Sequence, residues 1–188
     1  MPLAVTSAPA AEPVSLDEAK AQLRITEGDD DTLITSLIEA ARVAVEQRTR
    51  RALITQTLQL TLPDFADAIK LPRPPVAALS AFEYRDTAGA TQTVPASAYR
   101  LESNSTPARV ELLPNQTWPT TDTHPAAVTI TYTAGYGATS DDVPETLRRA
   151  VLLLVEEFYD GHDENRSKGI AALLAPYRVH SPDCFAQL

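Results

Sequence analysis

The 188-residue chain has a single cysteine, Cys184, which excludes an internal disulfide and any cysteine-based zinc cluster. It has one methionine, one tryptophan and only 6 glycines, and its aromatic content is 6 %. No long hydrophobic run is present. None exceeds the length of Ala150-Val151-Leu152-Leu153-Leu154-Val155, which is far too short to cross a bilayer. Positive charge is in deficit, with 16 basic residues against 25 acidic ones and a net charge of -9. That balance argues against a surface made to wrap nucleic acid, which needs clustered Lys and Arg. It argues equally against docking on an anionic membrane, so no membrane partner is expected. The first basic residue is Lys20, so the Ala-rich start does not read as a secretory signal. A protein made and kept inside a cell is the expectation.

What is plentiful is proline, 15 residues, and ordinary apolar content, 44 %. A chain of this size buries roughly 70 % of its unfolded surface, enough for a core without staples. Residues 1–14 carry Pro2, Pro9 and Pro13 without periodicity and read as an extended arm. Ser15-Leu16-Asp17-Glu18 is a capping box, in which the Ser hydroxyl accepts the N3 amide and Glu18 reaches back. Leu16, Ala19 and Leu23 share one helical face, and Gly28 is expected to end that element. After Asp29-Asp30-Asp31, a stripe of Leu33, Ile34, Leu37, Ile38, Ala41 and Val45 predicts a long amphipathic helix ending in Arg48, Arg50 and Arg51.

The period then falls from 3.6 to 2. Apolar and polar residues alternate in five runs, around Leu58-Leu60-Leu62, Phe82-Tyr84, Tyr99-Leu101, Val110-Leu112 and Val128-Ile130-Tyr132. Such alternation predicts an antiparallel sheet with one covered face. Most prolines fall between the runs and punctuate them. Helical period returns after Asp141-Asp142-Val143-Pro144, a helix start, and runs to a stop at Gly161. Residues 162–168 read as a polar loop, followed by a short helix from about Gly169 to Tyr177 and a tail able to extend. The fold class is therefore α+β: a helical bundle module from the N- and C-terminal helices, residues 15–51 and 143–177, interrupted by an inserted antiparallel β-sheet domain, residues 52–142, with 178–188 as tail. Val151 to Val155 is apolar all round, so Val151, Leu154, Val155 and Phe158 are candidates for a central core or a ring interface.

No recognisable catalytic, metal or cofactor motif is present. No phosphate loop, His-Glu-x-x-His or Gly-x-Ser-x-Gly elbow occurs. Gly135-Tyr136-Gly137 reads as a turn. His124, His162 and His180 stand in separate loops or tails. Asp29-Asp30-Asp31 reads as a cap with dipole-complementing acids, and Glu156-Glu157 as a solvated face. Arg48, Arg50 and Arg51 complement the negative end of their helix. Two other classes stay open on residues alone. One is a β-rich protein- or carbohydrate-binding module, for which Trp118 is the sole candidate platform. The other is a hydrolase without a motif.

The order of elements carries more. Ser15-Leu16-Asp17-Glu18-Ala19-Lys20 leads to Leu23-Arg24-Ile25. Asp30-Asp31-x-Leu33-Ile34-x-x-Leu37-Ile38-x-Ala40-Ala41-Arg42 and Arg48-Thr49-Arg50-Arg51 follow. Then come Leu71-Pro72-Arg73-Pro74-Pro75-Val76, Trp118-Pro119, Ile130-x-Tyr132-x-Ala134-Gly135-Tyr136-Gly137 and Val143-Pro144-Glu145-x-Leu147-x-x-Ala150-Val151-x-x-Leu154. This series resembles the head-tail connector (adaptor) proteins of tailed phages and gene transfer agents, in the subgroup with a β insertion. The resemblance implies a structural virion protein without enzymatic activity or cofactor. It implies a ring, usually of twelve copies, between a portal protein and a stopper or neck protein, through which DNA passes without specific binding. By that analogy the C-terminal segment is portal-facing, which makes Pro176, Tyr177, Arg178, Val179, His180, Cys184, Phe185 and Leu188 the candidate portal-binding residues. An acidic channel wall repels phosphate and lets DNA slide.

Overall fold

The structure, a computed structural model, describes residues 2–180. The described residues form two compact units: residues 2–8 and 56–135 with His180 make one, and residues 9–55 and 136–179 make the other.

The second unit is helical. Helix α1 (Leu16–Leu23) begins with the expected capping box. The Glu18 amide donates to Ser15 Oγ at 3.1 Å, and the Ser15 amide donates to Glu18 Oε2 at 2.7 Å. The helix ends before Gly28, because Arg24 adopts the left-handed conformation (φ 60°). There the Arg24 and Ile25 amides close back on the carbonyls of Ala21 and Lys20, which satisfies the last turn without a glycine. Helix α2 (Asp31–Thr49) follows, with Ile34, Ile38, Ala41 and Val45 buried along one stripe. Helix α3 (Glu145–Asp160) buries Leu147, Ala150, Val151, Leu154 and Val155, and stops at Gly161 (φ 103°). These stripes meet in one core, to which Val14, Leu53, Ile54, Ile170 and Leu174 also contribute.

Helix α4 (Glu164–Leu174) starts well before Gly169, in the stretch expected to be a polar loop. Asp163 is the reason, since its carboxylate accepts the amides of Asn165 (2.8 Å) and Arg166 (3.0 Å) and caps the new helix. The chain entering α1 is tied to the helices by charge. Arg42, only 6 % exposed, donates to Glu12 Oε2 (2.8 Å) and reaches Glu46 Oε2 (3.4 Å). The other Glu46 oxygen accepts the Leu53 amide at 2.9 Å, so one buried carboxylate fastens the turn after α2.

The other unit is built of antiparallel strands. They are β1 (Leu3–Ser7), β2 (Gln56–Leu62), β3 (Ala68–Leu71), β4 (Val76–Arg85), β5 (Thr91–Thr93), β6 (Tyr99–Glu102), β7 (Ala108–Leu112) and β8 (Val128–Ala134). They form two sheets where the alternating runs predict one: a five-stranded sheet in the order β1-β2-β8-β4-β5 and a three-stranded sheet β3-β7-β6. Leu58, Leu60 and Leu62 of β2 pair with Tyr132, Ile130 and Val128 of β8, and all six side chains are buried. The alternation read from sequence is this covered face. Phe82 of the larger sheet and Tyr99 of the smaller one meet edge to face at 5.0 Å.

Candidate functional site

The segment after α4 is the first candidate, and residues 175–180 of it are pinned to the end of α2. Ala175–Tyr177 form one 3-10 turn. The Arg51 Nε donates to the Tyr177 carbonyl at 2.7 Å, and the Val179 amide donates to the Thr49 carbonyl at 3.0 Å. Val179 is buried, Tyr177 is half-buried, and Pro176, Arg178 and His180 are exposed. Cys184, Phe185 and Leu188 lie outside the described residues. Burial pushes the Tyr136 pKa up, and the nearby Arg51 charge opposes that rise. Arg51 just past a helix end reads from sequence as one more dipole-complementing cation, and nothing local marks its bond to a carbonyl 126 residues away.

The second candidate set lies on α3. Val151, Leu154 and Val155 have no exposed surface and sit in the core of the helical unit. Leu152 and Leu153 are partly buried against the same core, so the apolar run is covered within the chain on most sides. Phe158 differs, at 42 % exposed.

The acidic groups serve the packing of helices. Asp30 occupies the N-cap of α2 but makes no side-chain cap bond; its Oδ2 accepts the Tyr159 hydroxyl at 2.6 Å. That bond, with burial, raises the Tyr159 pKa. Asp31 pairs with Lys20 at 2.6 Å. Glu156 and Glu157 do not form the solvated face expected of them. Glu156 accepts from Gln22 (2.5 Å) and Arg166 (2.8 Å), joining α1, α3 and α4. Glu157 Oε1 accepts from Ser167 Oγ (2.8 Å) and lies 3.0 Å from His162 Nδ1. Burial pushes the Glu157 carboxyl up, but the Ser167 and His162 bonds outweigh it and hold the pKa below the usual value. Ser167 and Glu157 approach the same ring nitrogen, so the ring cannot relay a proton between them. The cluster stitches α3 to α4.

Gly137 is a point of close approach rather than a phosphate loop. A Cβ there would lie 2.2 Å from Asp142 Cγ, and Asp142 caps the following turn through the Thr139 amide (2.9 Å) and hydroxyl (2.8 Å). Trp118 stacks on Phe65 at 4.7 Å and donates its indole N–H to the Ala66 carbonyl at 3.0 Å. Its ring face is used in packing, which removes the observation that favoured a carbohydrate platform.

Residues 13–94 match the model of the phage gp6-like head-tail connector protein family. A chain in the neck of an empty gene transfer agent particle, computed with C6 symmetry, is similar over 96 % of this chain and 97 % of its own, at 30 % identity and a TM-score of 0.83. A chain in the virion of a native gene transfer agent particle gives the same values. A chain in a native neck computed with C12 symmetry gives 30 % identity over the same shares and a TM-score of 0.81. No curated protein matches. The chain belongs to the phage gp6-like head-tail connector family. It is a structural virion protein of the neck, and its α+β fold is that of a neck protein.

Proposed function

We propose that the chain is the ring-forming adaptor between the portal and the stopper protein of a tailed phage or phage-like particle. Twelve copies make the ring, the helical module supplies its wall, and the C-terminal residues from Pro176 onward face the portal. The observation that carries this reading is the similarity over nearly the whole chain to a protein of a neck computed with C12 symmetry. The composition agrees with it. A chain of net charge -9 does not grip phosphate, so DNA passes a ring of such chains without being held. The role asks for no chemistry from the side chains, only for self-complementary faces and two partner-binding ends.

Cryo-electron microscopy of particles tests the proposal, comparing the full chain with one ending at His180. The full chain should appear as a twelve-fold ring beneath the portal, and the shortened chain should leave filled heads without tails. Normal tailed particles from the shortened chain would remove the docking role of the C-terminal segment. Density for the chain away from the neck, or a ring of another number, would overturn the placement or the stoichiometry.

A further inference from the structure

Strand β1 and the start of α1 are fastened in different ways, and the link between them is fastened to neither. β1 lies at the edge of the larger sheet and pairs with β2 alone, in the register Leu3–Leu60, Ala4–Gln59 and Val5–Leu58. Ala4 to Ser7 are exposed, Val5 by 52 %. No charged side chain precedes Glu12. From Glu12 the chain is anchored in the helical unit. Glu12 accepts from the buried Arg42 at 2.8 Å, the Pro13 carbonyl accepts from Arg148 Nε at 3.1 Å, and Val14 is 1 % exposed. Residues 8–11 lie between, and they make no hydrogen bond to a described residue. They include Pro9, whose fixed φ stiffens the link. β1 is therefore an arm, held by one ladder and joined to the helical unit by a short hinge.

We propose that β1 is an exchanged strand, which in the ring pairs with β2 of the next copy in the register it shows here. This deepens the ring reading above and rests on it. The surface that receives the strand is the edge of β2, and its fit to a second copy needs nothing new. The same backbone bonds and side-chain contacts form whichever chain supplies β1. Exchange therefore costs little, and it turns a ladder within a chain into a link between chains. Each copy gives one strand and receives one, the head-to-tail pattern that closes into a ring. Short hinges are the usual setting for such exchange. Residues 8–11 allow a reach of up to about 17 Å between Ser7 and Glu12. The arm carries no charged side chain, so chains of net charge -9 share it without setting like charges together.

A disulfide across the ladder tests the proposal in assembled particles. Ala4→Cys with Gln59→Cys, in a chain that also carries Cys184→Ser, puts two thiols on directly opposed residues with Cα atoms about 5.5 Å apart. The particles are oxidised and their proteins are separated on a denaturing gel without reductant. Exchanged strands should give a ladder of covalently joined copies that collapses to single chains on reduction, and Ala4→Cys alone should stay single. Disulfides closed within single chains would overturn the exchange, and so would the absence of any disulfide. If the first variant does not fold, Ser7→Cys with Thr57→Cys, a second opposed pair, should give the same ladder. Cryo-electron microscopy of the same particles separates the two readings. A ring of this chain with disulfides closed within chains defeats the exchange alone, whereas a neck without such a ring defeats the reading beneath it.

Discussion

Glu18 shows how one carboxylate can serve a helix end and a tertiary contact together. It accepts the Ser15 amide at 2.7 Å and pairs with Arg148 of α3. The Ser15 backbone bond, chiefly, holds its pKa below 4.5, with Arg148 adding to the effect against the burial that opposes it. A depressed carboxylate contributes stability that is full above its unfolded pKa and is lost as pH falls through the folded one. Denaturant titrations of the full chain and of Glu18→Gln at pH values from about 5 down to about 3 should show this. The unsubstituted chain should lose more stability over that interval, and parallel curves would assign the acid sensitivity to other groups. The Ser15-x-x-Glu18 half of this arrangement is legible in the sequence because a capping box is local. The Arg148 half is not, because that partner comes from a helix 130 residues later. Arg51 is the same case in stronger form: its residue type is visible, and its bond to the Tyr177 carbonyl depends on a partner 126 residues away.

At the scale of elements, what the sequence shows depends on burial. Helices α2 and α3 are read nearly to their ends, since each sets a long apolar stripe against the core. Strands β2 and β8 are equally plain, alternating buried and half-buried residues through seven positions. Strand β5 is three exposed polar residues and carries no periodic signal, whereas β3 buries Ile69 and Leu71 in alternation over only four positions just before Pro72 and is not among the runs read from the sequence. The first half of helix α4 is hidden for another reason, though the half from Gly169 onward is expected: its first turn is polar, Gly169 sits inside it, and Asp163, which caps it, lies among other acids. The break between α3 and α4 depends on Gly161, whose φ of 103° is one that side chains rarely adopt. A Cβ there would meet nothing within 4 Å, so Gly161→Ala tests backbone strain alone. It should lower stability by about 1 kcal/mol, read as a shift in the denaturation midpoint at constant slope. An unchanged midpoint would mean that the chain relaxes to another turn without penalty.

At the scale of the whole molecule, the helical unit is drawn from two distant stretches of chain. Its core sets Ile34, Ile38 and Val45 against Leu147, Val151 and Leu154, and residues 56–135 between them belong to the other unit. Bringing such ends together costs about 4 kcal/mol in loop-closure entropy if the intervening chain is unstructured. The strands between them pair with one another, and a sheet formed first shortens that loop for the helices. In pulsed hydrogen exchange during refolding, the amides of β2 and β8 should gain protection before those of α2 and α3, and the reverse order would contradict this account. During synthesis the consequence is sharper. The apolar stripe of α2 leaves the ribosome roughly a hundred residues before α3 can cover it, and at about 5–20 residues per second it waits about 5–20 seconds for that cover. In that interval α2 is a natural client for a chaperone, and a sticky surface for any unfinished copy nearby.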